Sequence, residues 1–207
     1  MKTVAIIGSG GKTTLLHGLG GKLAREGKRV VLTTTTHLAV SEEAVSPDTV
    51  ARLNALSGDG PVLCAYPSPN DRMTGMPLDW YPQLSADYVL VEADGSRGMP
   101  LKWHGDYEPV LPPNTDALVL VAGLSGLDRC AEEVVHRWRG TERVDEELFA
   151  RLVRRGLEHT NFSGPTWVVL NQADTPELKR RGEAIARRLE ADGIHAVVTA
   201  LKEGWEC

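Results

Sequence analysis

The sequence predicts an α/β fold in which a mainly parallel sheet is covered by helices on both faces. Three observations carry this expectation. Short apolar runs suited to buried strands recur at "KTVAIIG", "KRVVLTT", "PVLCAY", "DYVLVEA", "DALVLVAG", "TWVVLNQ" and "HAVVTAL". Helical patterns separate several of them, over residues 12–26, 46–57, 145–155 and 176–192. The first run ends in a glycine-rich turn that opens directly into the first helical pattern. Such alternation implies right-handed crossovers and helices on both sides of the sheet.

Bulk properties narrow the class. A chain of 207 residues fills one core and is short for two, so residues 1–207 are read as a single domain. With 42% hydrophobic and 25% charged residues it has the composition of a folded soluble protein. A net charge of -5 argues against a general nucleic-acid binder, which needs a basic surface to displace counterions. The local runs "RRG" at 154–156 and "KRRG" at 179–182 read as solvated helix faces. The apolar run near Met1 is too short to span a membrane and lacks a small-residue cleavage site, so a cytoplasmic protein with no membrane partner is expected. Cys64, Cys130 and Cys207 are odd in number and lack C-x-x-C spacing, which fits a reducing compartment and supplies no metal framework.

The first element pair carries the clearest chemistry. In "IIGSGGKTT", residues 6–14, a strand runs into a glycine turn and then a helix, the context of a phosphate-binding loop. Ile6 stands where G-x-x-x-x-G-K-[ST] has its leading glycine, but Gly8, Ser9, Gly10, Gly11, Lys12, Thr13 and Thr14 retain the part nearest the phosphates. Backbone N–H groups of the turn can cradle phosphate oxygens, aided by the positive end of the helix dipole. In this reading Lys12 reaches the terminal phosphates and Thr13 ligates Mg2+ beside ATP or GTP. An ordinary glycine-rich turn is the bland alternative. The loop sharpens the predicted fold to a three-layer P-loop NTPase-like one.

Later elements add candidates in chain order. The second strand ends in "LTTTTHLA", where β-branching alone accounts for most threonines, yet Thr35, Thr36 and His37 would lie at the sheet rim near the loop. Ser46, Pro47 and Asp48 signal the start of the helix over 46–57. Residues 66–82 carry four prolines and no clear period. The strand "DYVLVEADGSRG" ends in Glu92 and Asp94, either of which could hold Mg2+ directly or through water, and solvated strand-end acids are the alternative. Residues 95–114 offer no helix but bear Arg97, Lys102, His104, Asp106 and Glu108, a candidate substrate or partner surface. "LNQADTPEL" resembles the N-K-x-D base reader of GTPases through Asn171 and Asp174, with Gln172 in the lysine position. Asp174 or Thr175 could equally cap the helix that follows.

The loop, "TTTTH", "VEADGSRGMPLKWHGDYEPV" and "LNQAD" together make the chain similar to the YqeC family over nearly its full length. The most specific segment is E-A-D-G-S-R-G-x-P-L-K. That resemblance implies a P-loop NTPase-like fold and an accessory role in maturation of selenium-dependent molybdenum hydroxylases or in selenium cofactor biosynthesis. It matches residues 8–13 to the family's nucleotide loop and Glu92, Asp94, Gly95, Ser96, Arg97, Gly98, Pro100, Leu101 and Lys102 to its acidic segment. "GLSGLDR" at 123–129 and "VHR" at 135–137 also look family-like, without an assigned chemistry. The implied partners are a nucleotide and a molybdenum hydroxylase or its selenium or molybdenum cofactor. The functions expected are a nucleotide-dependent maturation factor, with Lys12, His37, Glu92 and Asp94 as catalytic candidates, a phosphoryl or nucleotidyl transferase acting on a small anion held by Arg97, Lys102 and His104, or a non-catalytic switch.

Overall fold

A computed structural model of the chain describes residues 1–56 and 60–203. All seven apolar runs become strands of one sheet: β1 (Lys2–Gly8), β2 (Val30–Thr34), β3 (Val62–Leu63), β4 (Tyr88–Glu92), β5 (Thr115–Gly123), β6 (Thr166–Asn171) and β7 (Ala196–Val198). Their order is β7-β6-β5-β1-β4-β2-β3, and every pairing is parallel. Strands buried on both faces lose the polar alternation of a half-exposed strand, which is why these runs read as continuous apolar stretches. Ala5, Ile6 and Ile7 of β1 and Val89, Leu90 and Val91 of β4 are fully buried.

Helix α1 (Lys12–Arg25) lies on one face, packing Leu15 and Leu16 against Ile6, Leu32, Leu90 and Val121. On the opposite face Leu148, Phe149, Leu152 and Val153 of one helix and Ile185 and Leu189 of another cover Ala5, Ile7, Leu118, Leu120, Val168 and Leu170. Those two helices are α4 (Glu146–Glu158) and α5 (Pro176–Ala191), separated from α1 in sequence by the short α2 (Val50–Ala55) and α3 (Ala131–Val134). The result is a helix–sheet–helix arrangement, as the alternation requires. Asp145 caps α4, accepting from the Leu148 amide at 2.8 Å, and Thr175 caps α5, accepting from Leu178 at 3.2 Å.

The sequence signals at 46–48 mark a different feature from a helix start. Helix α2 begins at Val50 with Thr49 as its cap. Val45 bonds alongside β3, its amide to the Leu63 carbonyl at 2.8 Å and its carbonyl to the Ala65 amide at 3.1 Å, and Ser46 donates its hydroxyl to Ala65. The sheet edge thus holds this segment extended, overriding the capping pattern. Ser57, at the expected end of that helix, lies outside the described residues, as does Cys207. The proline-rich stretch 66–82 contributes Tyr66–Ser68 and Arg72–Thr74, which form a small antiparallel sheet with His37–Ala39. Segment 95–114 is anchored by Leu101–Lys102, which pairs in parallel with Val135–His136.

From β1 the chain moves to β2 and β3 on one side, returns to insert β4 beside β1, then crosses to β5, β6 and β7 on the other side. Carboxyl ends at such a reversal border the crevice where open α/β sheets bind ligands. Among the described residues no helix is long and apolar enough to cross a membrane.

Candidate functional site

The glycine loop leaves β1 under tight constraint. The Gly8 amide donates to Asp94 Oδ2 at 2.9 Å and the Ser9 amide to the Val121 carbonyl at 2.8 Å. Gly10 has φ 83, and a Cβ there would stand 2.6 Å from Gly123 Cα and 2.7 Å from the Pro100 carbonyl oxygen. A Cβ at Gly11 would overlap the Asn171 side-chain amide. Glycine is therefore required by close backbone approach as well as by the left-handed dihedral at Gly10. Asn171 clamps the loop: its Nδ2 donates to Gly10 O at 2.7 Å while its Oδ1 accepts from the Leu201 amide at 3.0 Å.

Helix α1 starts at Lys12 with no side-chain cap and no acid in its first turn. Its first backbone bond runs from the Leu15 amide to Gly11 O at 2.9 Å. The preceding amides have no intrahelical acceptor and lie at the positive end of the helix dipole, the arrangement that binds anions.

Two acids from the end of β4 meet this loop with opposite environments. Glu92 Oε2 accepts from the Thr13 hydroxyl at 2.9 Å, and Glu92 Oε1 lies 3.7 Å from Lys12 Nζ. Burial pushes the Glu92 carboxyl above its ordinary value, an effect that Lys12 and Thr13 only partly offset. Asp94 is completely buried. Burial alone would raise its pKa too, but Lys12 at 3.2 Å, His104 Nε2 at 3.0 Å and Lys102 at 3.1 Å overcome it and hold the carboxyl well below the usual range. Lys12 also donates to Gly8 O at 2.6 Å and Ser96 Oγ at 3.3 Å, so its ammonium is docked across the base of the loop.

Above these groups opens a cleft of about 860 Å³. Gly10, Gly11, Lys12, Thr13, Thr14 and Glu92 line it on one side. Thr36, His37, Arg72, Arg97, Glu108, His136, Arg137, Trp138 and Gln172 contribute to the remainder. A three-residue cluster of His, Cys, Asp or Glu able to hold a metal is absent among the described residues.

Several sequence candidates converge here and others do not. Gly10, Gly11, Lys12, Thr13, Thr14, His37, Glu92 and Arg97 line the cleft. Gly8 and Ser9 lie beneath it, their amides bonded within the fold. Asp94, expected as a metal or catalytic acid, contributes nothing to the cleft lining and instead fixes Gly8 and three cationic or imidazole side chains. Lys102 and His104, expected on a substrate surface, are buried, because both turn inward to Asp94. Thr35 donates its hydroxyl to Val110 O at 2.6 Å and is not part of the lining. Asn171 braces the loop, whereas Asp174 is exposed, lies outside the cleft, and leaves the capping of α5 to Thr175. His136 and Arg137 enter the cleft without having been assigned a role in the sequence; their only signal was "VHR".

The YqeC protein family matches residues 4–139. The uncharacterized protein YqeC of Escherichia coli (strain K12) is 31% identical over 153 residues, which cover 65% of this chain and 57% of that protein. The aligned part thus spans little more than half the length of that relative.

Proposed function

The chain belongs to the YqeC family, and from that premise we propose that it binds a nucleoside triphosphate, ATP or GTP, with Mg2+ at the glycine loop. The observation that carries this reading is the union, in one cleft, of uncapped α1 amides, Lys12, Thr13 and the Thr13–Glu92 hydrogen bond. A hydroxyl and a carboxylate oxygen 2.9 Å apart are hard donors that fit Mg2+, which in phosphate sites takes only one or two protein ligands and fills the rest from phosphate and water. This also explains how a metal could be held without a cluster of protein ligands. Bound there, Mg2+ would neutralise charge developing on the terminal phosphates.

The protein groups divide the remaining work. The free amides hold the phosphate tail in place. Lys12, drawn from Gly8 O and Asp94 toward the terminal phosphates, places a cation where charge accumulates during in-line attack. Glu92 is the metal candidate because it reaches the cleft; Asp94 is a positioning residue that keeps the Gly8 turn in shape. His37 lines the cleft and is exposed, a site for orienting the attacking group.

We assign the downstream role to maturation of a selenium-dependent molybdenum hydroxylase or its cofactor, with nucleotide state read out through segment 95–114. Support for that coupling comes from Lys102 and His104, which belong to the segment and share Asp94 with Lys12. Moving Lys12 changes the charge that both must balance.

Calorimetric titration with ATP and GTP, each with Mg2+, tests the site. Wild-type protein should bind, and Lys12→Ala should not. Equal affinity in the variant rejects this placement. An Asp174→Ala variant in the same experiment decides the base: loss of a GTP preference makes Asp174 a base reader, and no change removes it from the site.

A further inference from the structure

We propose that the part of the cleft formed by Arg97 and Arg137 binds the phosphate, or a chemically equivalent tetrahedral oxyanion, of a second small molecule held at the same time as the nucleotide. The proposal rests on the nucleotide reading for its first ligand and deepens it by naming the class of the second.

The extent of the cleft gives the first argument. At about 860 Å³ it has the size of a complete small-molecule site. Of the "NQAD" segment only Gln172 lines it, and no residue of 173–202 does, so Asp174, the base-reading candidate, stands outside the cleft. Its walls beyond the loop include residues 96–99 and 135–138.

Backbone conformation gives the second. Arg97 and Arg137 have φ 51 and φ 68, left-handed values that cost about 1–2 kcal/mol for a residue with a Cβ. Both are held there by tight turns, with Met99 N–H bonded to Ser96 O and Trp138 N–H to Val135 O, each at 3.1 Å. The adjacent pairing of Leu101–Lys102 with Val135–His136 locks the two turns to each other. Strain concentrated at two arginines in one cleft is the pattern of a ligand clamp.

Charge gives the third. Arg97 has no ion pair or side-chain hydrogen bond among the described residues. Arg137 has Glu108 at 3.5 Å, but Glu108 is shared with Lys102 at 2.6 Å, and Arg137 Nε donates to His136 Nε2 at 3.4 Å. The other acids in the lining are Glu92, which faces Thr13 and Lys12, and Glu132, exposed on α3. Two guanidinium groups with this little compensation suit the bidentate recognition of an oxyanion. A line of alternating charges, Lys12, Asp94, Lys102, Glu108 and Arg137, connects this wall to the loop.

Equilibrium dialysis with radiolabelled inorganic phosphate tests the proposal, on the 207-residue chain with and without a saturating non-hydrolysable Mg-nucleotide analogue. Wild-type protein should bind phosphate in the presence of the analogue. An Arg97→Gln/Arg137→Gln variant should lose about tenfold or more in phosphate affinity while its analogue affinity changes by less than about twofold, and the paired Lys substitutions should fall between. Lys12→Ala should lose the analogue and keep phosphate. If the analogue displaces all phosphate, or the double Gln variant binds phosphate as wild type does, the second site is rejected. Should wild-type protein bind no nucleotide yet lose phosphate in the double Gln variant, the arginine site stands and the nucleotide reading falls.

Discussion

The Gly8 amide donates to the Asp94 carboxylate at 2.9 Å, across 86 positions of sequence, so the turn that opens the glycine loop is held by an acid leaving the neighbouring strand. The same carboxylate faces Lys12, Lys102 and His104 in a site closed to solvent. Removing one member of a buried charge cluster leaves the others uncompensated. Asp94→Ala should therefore destabilise the protein by about 3–5 kcal/mol in urea titration, and a loss below about 1 kcal/mol would show the cluster to be energetically idle. Because the native carboxyl is held below its ordinary value, its stabilisation is present above the unfolded pKa of about 3.9 and disappears as pH falls through the native one.

Glu92 should behave in the reverse sense. Burial raises its native pKa, so its contribution to stability is present below the unfolded value of about 4.3 and lost as pH rises through the native one. Glu92→Gln should raise the calorimetric unfolding midpoint of the unliganded protein at pH 8 and leave it close to wild type at pH 4. The same variant should lose the Mg2+-dependent part of the nucleotide affinity. A lower midpoint at pH 8 would show that its bonds to Thr13 and Lys12 outweigh burial.

Thr13→Ala separates metal from phosphate. Its hydroxyl, bonded to Glu92 at 2.9 Å, is the proposed ligand, whereas the loop amides need no side chain. Nucleotide affinity measured with Mg2+ should drop by about tenfold or more, and affinity measured in EDTA should hardly move. Equal losses under both conditions would make Thr13 a phosphate contact only.

Gly10→Ala should be costly even without ligand. The added Cβ meets Gly123 Cα and Pro100 O, both backbone atoms, at a left-handed residue. A loss of more than about 2 kcal/mol is expected by chemical denaturation; a neutral variant would mean the loop relaxes freely.

Asn171, Asp174 and Thr175 should part company. Asn171→Ala removes a buried clamp between Gly10 and Leu201 and should cost about 1–3 kcal/mol. Thr175→Ala should cost about 1 kcal/mol through its cap, and Asp174→Ala should leave the thermal midpoint unchanged, as measured by circular dichroism.

By itself the sequence determined the seven strands, α1, α4, α5 and the position of the glycine loop. These rest on local rules: doubly buried strands need unbroken apolar runs, and a strand-to-helix turn with close backbone contacts needs glycine. Tertiary structure decided what local rules could not reach. Glu92 and Asp94 are two residues apart and looked equivalent, yet one lines the cleft and the other is closed off by Lys102 and His104. "VHR" carried no readable chemistry until pairing of Val135–His136 with Leu101–Lys102 brought Arg137 to the same cleft as Arg97. Ser46 looked like a cap until the edge of β3 held it extended. In each case the deciding contacts join residues distant in sequence, and an acid's burial or an arginine's partner is set by what the folded chain places beside it.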